Sequence, residues 1–442
     1  MRRFRHVALA GAVVVAGTAA LLGNRSTTPA EVRGAPLEAG RPDRTDPAGR
    51  GAPGVAAAAA PAVALADLID LDRRALSADG TRYEAPLKDG RRAVLTLDPA
   101  LQALAEKLLS EARAPRGAIV AMAPDGRILA IAGRRSEPTE GRGKAGAAAA
   151  PPSFDWRLAT DAWAPAASVF KLVTASALVA AGVDPGDKVC FHGGLRSVLE
   201  SNLRDDKRDS RCESLVYGVA HSNNAILGKL AFQKLAPAEL TRFAHDLGVS
   251  ERLPGAELRG AAGAIEIPAV RDLSFAQAAA GFSGSQLSAV GGAMLAATFA
   301  DDGEQPVPWL VSSIDGVAVT APARRRAVTS EIARAVARMM QATCEFGSAA
   351  RSFGRRQAIR VAGKTGTLTR TAPFYMEHSW FVGYAPAEQP QIIVSVVLGN
   401  PENWHLRGHE AARRLIDRAL DSASRREKDR TLKTASTRRA GW

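Results

Sequence analysis

From Ser168 to Gly182 the chain is apolar nearly all round the helical wheel, and Lys171 is the only charge in the run. A helix apolar on every side belongs inside a core. The chain must therefore fold into something large enough to surround it. Its 442 residues, 46% of them hydrophobic, exclude whole-chain disorder and allow one large domain or two medium ones. Burial also acts on Lys171 itself. An ammonium that loses its hydration is driven toward the neutral amine. Ser168, three residues earlier, shares its helix face. A neutral amine within reach of a hydroxyl is a general base for a nucleophile. The plain structural reading is a lysine snorkelling to water beside a capping serine. Only 11 of the 58 basic residues are Lys, so each lysine in an apolar setting stands out.

The net charge of +13 is concentrated at the ends. Residues 1–50 and 421–442 carry +4 each, which leaves +5 for the body between them. A nearly balanced body with 5% aromatics and no stacking motif argues against a nucleic-acid binder. At the N-terminus Arg2, Arg3 and Arg5 precede Val7–Gly23, seventeen residues without a charge. As a helix this run spans roughly 25 Å, a little less than a ~30 Å hydrocarbon core. Residues 1–23 are read as a single membrane anchor, Arg flank inside, with a cleaved signal peptide as the alternative. The body is then extracytoplasmic, in the periplasmic space facing the inner (cytoplasmic) membrane. In an oxidising compartment Cys190 and Cys212, which flank a polar stretch, are candidates for a disulfide. A metal site that adds His192 and His221 is the alternative, although the spacings match no zinc pattern. Cys344 reads as a buried small apolar residue. No metal and no cofactor is expected.

Residues 24–61 are rich in Gly, Pro, Ala and Arg and read as a flexible linker. Residues 62–90 form a short transition segment. Asp98-Pro99 opens a helix, with Asp as cap, Pro in the first turn and Leu101, Leu104, Ala105 and Leu108 at helical spacing. Gly117–Ala123 and Ile128–Ala132 are apolar runs joined by Pro124-Asp125-Gly126, a hairpin signal. Helical patterns dominate from about 165 to 300. Two strands close the pattern, Ser379–Tyr384 and Gln391–Leu398. Strands, then helices, then strands imply an α+β fold: an antiparallel sheet built from both ends of the chain, flanked by helices, with an adjoining helical cluster. Residues 91–420 are read as this domain and 421–442 as a basic tail. Asp205–Asp209 reads as a solvated loop, Arg324–Arg326 as a surface run, and Trp380 and Tyr384 as packing.

Two further triplets carry chemistry. Ser222-Asn223-Asn224 suits a turn or helix entry, or a loop offering one hydroxyl and one amide to a cleft. Lys364-Thr365-Gly366-Thr367 follows the apolar Ile359–Ala362. A strand with Gly lets a substrate backbone approach, and a cation with two hydroxyls suits a carboxylate. The plain reading is a strand end.

In this order and spacing the three triplets resemble the S-x-x-K, S-x-N and K-T-G set of the penicillin-recognising serine acyltransferases. The flanks are similar to the transpeptidase domain of penicillin-binding proteins of the monofunctional, class-B-like kind. Leu95–Gln102 looks like that domain's opening, Gly117–Ala132 like its first hairpin, and Ser379–Pro386 like the strand after K-T-G. The resemblance covers roughly residues 91–420. It implies a D,D-transpeptidase of peptidoglycan stem peptides ending in D-Ala-D-Ala, trapped covalently by β-lactams. It implies Ser168 as nucleophile, Lys171 as its base, Ser222 as proton relay, and Asn224 as holder of Lys171 and the substrate amide. Lys364 sets the field, Thr365, Gly366 and Thr367 bind the terminal carboxylate, and the N–H groups of Ser168 and Thr367 form the oxyanion hole. Two departures stand out: Ala166-Ala167 precede the serine where many relatives have Gly, and Asn223 replaces the commoner Ser or Asp.

The same fold serves rivals. One β-lactamase form needs a Glu-x-x-x-Asn pair, and no Asn lies between Asn224 and Lys364. The form with a carboxylated lysine has a second triplet and a Tyr-Gly-Asn absent here. A D,D-carboxypeptidase or endopeptidase stays open, because the triplets do not discriminate it. A non-catalytic β-lactam sensor or scaffold would not need all three triplets. About 30 non-linker residues before Leu95 leave no room for a glycan-polymerising domain, so polymerisation falls to a separate partner.

Overall fold

The computed structural model describes residues 65–136, 152–249, 251–354, 359–372 and 374–422. The Val7–Gly23 anchor, the 24–61 linker and all but the first two residues of the 421–442 tail lie outside them.

The framework is a six-stranded sheet. Its strands are β1 (Arg116–Met122), β2 (Ile128–Arg135), β3 (Ser153–Phe154), β4 (Ala362–Arg370), β5 (Met376–Ala385) and β6 (Ile392–Asn400). They lie in the order β4-β5-β6-β1-β2-β3, and every pairing is antiparallel. The sheet is thus assembled from both ends of the chain. Its central strands read apolar at nearly every position because both faces are covered. The two-residue strand period sends Ala118, Val120 and Met122 into one core, and Ile119 and Ala121 into the other. On the first face lie two nearly all-apolar helices, α2 (Lys171–Ala180) and α5 (Ala289–Ala300). On the other face lie α1 (Pro99–Ala112) and the helix over 408–422. Asp98 caps α1 by accepting from the N–H groups of Ala100 and Leu101 at 3.0 and 3.1 Å. That cap satisfies two amides that would otherwise lack partners.

Trp380 and Tyr384 are packing residues, as expected, and each finds a partner for its polar tip. The Trp380 indole donates to the Pro165 carbonyl at 2.9 Å, and the Tyr384 hydroxyl to that of Phe299 at 3.3 Å. Cys344 is buried. Between the sheet-forming ends lie α3 (Leu215–Ala220), α4 (Asn224–Lys234) and α6 (Ser330–Glu345).

Two local expectations change, and a third is refined. Tyr83–Pro86, in the transition segment, joins a five-stranded sheet with Arg92–Leu95 and with 311–318, more than 200 residues on. Arg324–Arg326 is an exposed surface run, as expected, but its residues have partners. Arg325–Arg326 pairs with Glu304–Gln305, and Arg324 and Arg326 meet Asp301 and Glu304. Asp205–Asp209 is not wholly solvated either. Lys229, on α4 and nearly fully buried, donates to Asp209 at 2.7 Å and to the Cys190 carbonyl at 2.8 Å. A buried ammonium requires such partners.

Candidate active site

Ser168 sits in a single 3-10 turn, Ala167–Phe170, which runs directly into α2. The backbone enters that turn through Ala167 at φ +49°, a left-handed conformation that favours glycine. Ala167, a non-glycine residue in this conformation, carries backbone strain directly before the nucleophile. The turn is pressed against β4. A Cβ on Gly366 would meet Trp380 Cβ on β5 at 3.1 Å, and on the turn the Val169 side chain at 3.3 Å and the Ala166 carbonyl at 3.4 Å. Gly366 therefore admits the nucleophile's own turn, a reason not visible in the motif.

Lys171 is fully buried and makes three polar contacts. Its Nζ donates to Asn224 Oδ1 at 2.8 Å and to the Ala280 carbonyl at 2.6 Å, and it lies 2.8 Å from Ser168 Oγ. A neutral amine has two N–H groups and one lone pair. The two acceptors use the N–H groups, and the lone pair is left for the serine hydroxyl. No carboxylate pairs with Lys171 among the described residues. Burial first, and the charge of Lys364 second, hold its pKa well below the ordinary lysine range.

Ser222 takes φ +56° without being glycine, a second strained position beside the first. Asn223 caps α4 by accepting from the Ile226 N–H at 3.1 Å. That is what the middle residue of this triplet does. Asn224 is held three ways: its Oδ1 by Lys171, its Nδ2 by the Leu195 carbonyl at 3.2 Å, and its N–H by the Gly194 carbonyl at 2.7 Å. The 194–195 loop belongs to the hairpin of Lys188–Phe191 and Arg211–Ser214, whose Cys190 and Cys212 are bonded to one another. Their sulfurs are consumed by that bond. His192 bonds Asp209 and Ser201, and His221 stacks on Tyr217. The metal-site alternative therefore lacks its ligands.

Lys364, also fully buried, donates to Ser222 Oγ at 3.2 Å and to the Thr365 carbonyl at 2.8 Å. Loss of hydration pushes it down to about 7. Thr365 Oγ1 shares a hydrogen bond of 2.6 Å with Ser348 Oγ. Ser348 is a cleft residue that no motif signals, because it follows α6 in an ordinary turn. Ser168, Ser222, Asn224, Thr365 and Thr367 all line one cleft of about 400 Å³, and among the described residues no carboxylate lines it.

The buried lysines make stability depend on pH. Between about 7 and the ordinary 10.5 an unfolded Lys364 keeps its proton while the folded one has lost it. Stability contributed by this group is therefore present above 10.5 and lost as pH falls toward about 7. Denaturant unfolding of wild type between these limits should show stability rising with pH. Lys364→Met should reduce that slope by about one proton, about 1.4 kcal/mol per pH unit. An unchanged slope would mean that Lys364 stays protonated in the fold.

A serine within hydrogen-bond reach of a buried lysine whose pKa is held low, in a cleft that no carboxylate lines among the described residues, defines an active-serine acyltransferase. Residues 117–419 match the penicillin binding protein transpeptidase domain, and the chain belongs to that family. It is 29% identical over 336 residues to the probable peptidoglycan D,D-transpeptidase PenA of Neisseria flavescens, covering 74% of this chain and 80% of that protein. It is 26% identical over 337 residues to stage V sporulation protein D of Bacillus subtilis, covering 72% of this chain and 51% of that protein. A shorter match, 32% over 117 residues, joins it to the peptidoglycan D,D-transpeptidase PbpA of Mycolicibacterium smegmatis, over 24% of this chain and 23% of that protein. Penicillin-binding protein A of Mycobacterium tuberculosis has a similar fold, with TM-score 0.59 at 22% identity over 75% of this chain and 83% of that one.

Proposed function

We propose that the chain is a D,D-transpeptidase that cross-links peptidoglycan stem peptides through an acyl-enzyme on Ser168. The observation that carries this is the continuous hydrogen-bonded path Ser168–Lys171–Asn224, with Lys364–Ser222 converging on the same cleft. Lys171 takes the Ser168 proton as Oγ attacks the penultimate D-Ala carbonyl. The C–N bond then breaks, and Ser222 relays the proton taken by Lys171 to the departing D-Ala, which leaves Lys171 neutral again. Lys364 sets the field around Ser222, and Thr365 and Thr367 hold the terminal carboxylate. The N–H groups of Ser168 and Thr367 receive the developing oxyanion. An amine from a neighbouring stem then attacks the ester, its proton passes back to Ser168, and the cross-link is released. A β-lactam reacts with Ser168 by opening its ring and stays attached, because no separate leaving group departs.

The reading extends to place and partners. The Arg-flanked Val7–Gly23 segment supports an anchor in the cytoplasmic membrane, with the domain outside. The Cys190–Cys212 bond is in keeping with an oxidising compartment. A separate glycan polymerase would supply the strands to be joined.

Incubation with a stem-peptide thioester and candidate amines, read by mass spectrometry, tests the reaction. The expected product is the amide of donor and amine, formed through an adduct on Ser168. Hydrolysis alone, at every amine concentration, would make the chain a carboxypeptidase. Rapid release of a penicillin adduct would make it a β-lactamase.

A further inference from the structure

Among the described residues the cleft is lined by one guanidinium that the reaction above does not use. Arg196 lines it beside Leu195, on the loop that Asn224 holds, and is exposed. Among the described residues no carboxylate pairs with it. Its neighbours in the same region are engaged: Arg208 bonds Asp206, Arg204 lies over the Phe232 ring, and Arg211 bonds the Tyr217 hydroxyl. An unpaired guanidinium on the wall of a substrate cleft is a free fork for an anion.

The backbone that carries Arg196 is fixed on both sides. Just before it, the carbonyls of Gly194 and Leu195 are bound to Asn224, the residue that holds Lys171. Just after it, Val198 is buried in a small apolar cluster with Leu203 and Ala276. Further back, Lys229 holds the Cys190 carbonyl, and Cys190 is bonded to Cys212. The arginine is long and mobile, but its anchor point is set relative to the nucleophile. Little backbone entropy is left to lose when a ligand arrives.

The terminal carboxylate of the donor is met at the Lys364 and Thr365 side of the cleft. Arg196 stands on a different element, the loop whose Gly194 and Leu195 carbonyls Asn224 holds, so an anion it binds is a second one, from the body of the donor peptide. We propose that Arg196 is a specificity-determining residue that binds a second, non-terminal carboxylate of the donor stem peptide. The enzyme then selects donors whose internal acid group is free rather than amidated. This rests on the transpeptidase reading, whose donor is a stem peptide. A salt bridge at a half-open cleft wall is screened by solvent, but a bidentate guanidinium–carboxylate pair discriminates well between a carboxylate and its neutral amide.

The test uses two stem-peptide thioesters that differ only in a free carboxylate or a carboxamide on the internal acidic residue. Acylation of Ser168 is followed by mass spectrometry, with a fluorescent penicillin in parallel. Wild type is expected to prefer the free acid about tenfold in kcat/KM, carried by KM. Arg196→Gln should lower acylation by the free acid about tenfold, leave the amide within twofold, and so erase the preference. Arg196→Glu should reverse it. Arg196→Lys should restore part of it, since the charge returns without the fork. Penicillin has no internal stem carboxylate, so its acylation rate should move far less than that of the free acid. Equal loss with both thioesters, or no preference in wild type, overturns the proposal. A loss confined to transfer onto the amine, with acylation unmoved, overturns the assignment to the donor. Failure of both thioesters to acylate a protein that still takes up penicillin overturns the stem-peptide reading and this inference with it.

Discussion

Ser168→Ala is expected to take up no covalent penicillin and to form no cross-link, while folding within about 1 kcal/mol of wild type. The expectation of an intact fold comes from how little the Ser168 hydroxyl supports. Its one hydrogen-bonding neighbour among the described residues is Lys171. Lys171 keeps its two acceptors, Asn224 Oδ1 and the Ala280 carbonyl, when the hydroxyl is gone. Water in the open cleft can take the vacated lone pair. The loss of turnover, by contrast, should be close to total, on the order of the 10⁶-fold seen when a serine nucleophile is removed. Intact-mass spectrometry after penicillin treatment reads the adduct directly, and denaturant unfolding reads stability. An adduct of the same mass on the Ser168→Ala variant would move the nucleophile elsewhere.

Lys171→Met should be the more informative variant. Methionine has nearly the same length and no charge, so it fills the same buried channel. Acylation should fall by roughly 10²–10⁴-fold, the usual worth of a positioned general base. Stability should not fall with it. A buried lysine whose pKa is driven down by burial imposes a desolvation cost at neutral pH that methionine removes. Against that gain stand an orphaned Asn224 Oδ1 and an orphaned Ala280 carbonyl, although Asn224 keeps its bonds to the Leu195 and Gly194 carbonyls. Stopped-flow acylation and unfolding on the same preparation separate the two effects. A variant that acylates at wild-type rate would show that another group takes the Ser168 proton. Lys364 is the nearest alternative, through Ser222.

Much of this site was legible because each triplet puts chemistry at short sequence range. Ser168 and Lys171 face each other by helical spacing alone, and a lone charge in an apolar helix already implies a shifted pKa. The sheet was legible because strands buried on both faces read as unbroken apolar runs. What stayed hidden depends on contacts that only the tertiary fold makes. Ser348 meets Thr365 because the turn after α6 is docked against the Ala220 carbonyl. Arg196 faces the cleft because Asn224 captures the two residues before it. Lys229 sits in a helix with little amphipathic contrast, and its acids lie some 20 residues away, so nothing local marks it as buried. The role of Gly366 is hidden for the same reason: its close neighbour is the nucleophile's turn, almost 200 residues earlier.

The antiparallel sheet joins β1 to β6, so Ile119 lies opposite Val396. Those two residues are 277 positions apart in the chain. Until β6 has been synthesised, β1 and β2 are a hairpin with an unsatisfied inner edge, and β4, which joins them only through β5 and β6, is not docked against the turn bearing Ser168. Long-range pairing of this kind is slow to form, because the loop must close before any contact rewards it. Every molecule therefore passes through a period in which an apolar strand edge is open to other chains. During that period the serine, though already made, has no Lys364 beside it. Reactivity toward penicillin should thus appear as a late, all-or-none event in the life of the nascent chain, and the timing of the antibiotic target's birth is written in the order of its strands.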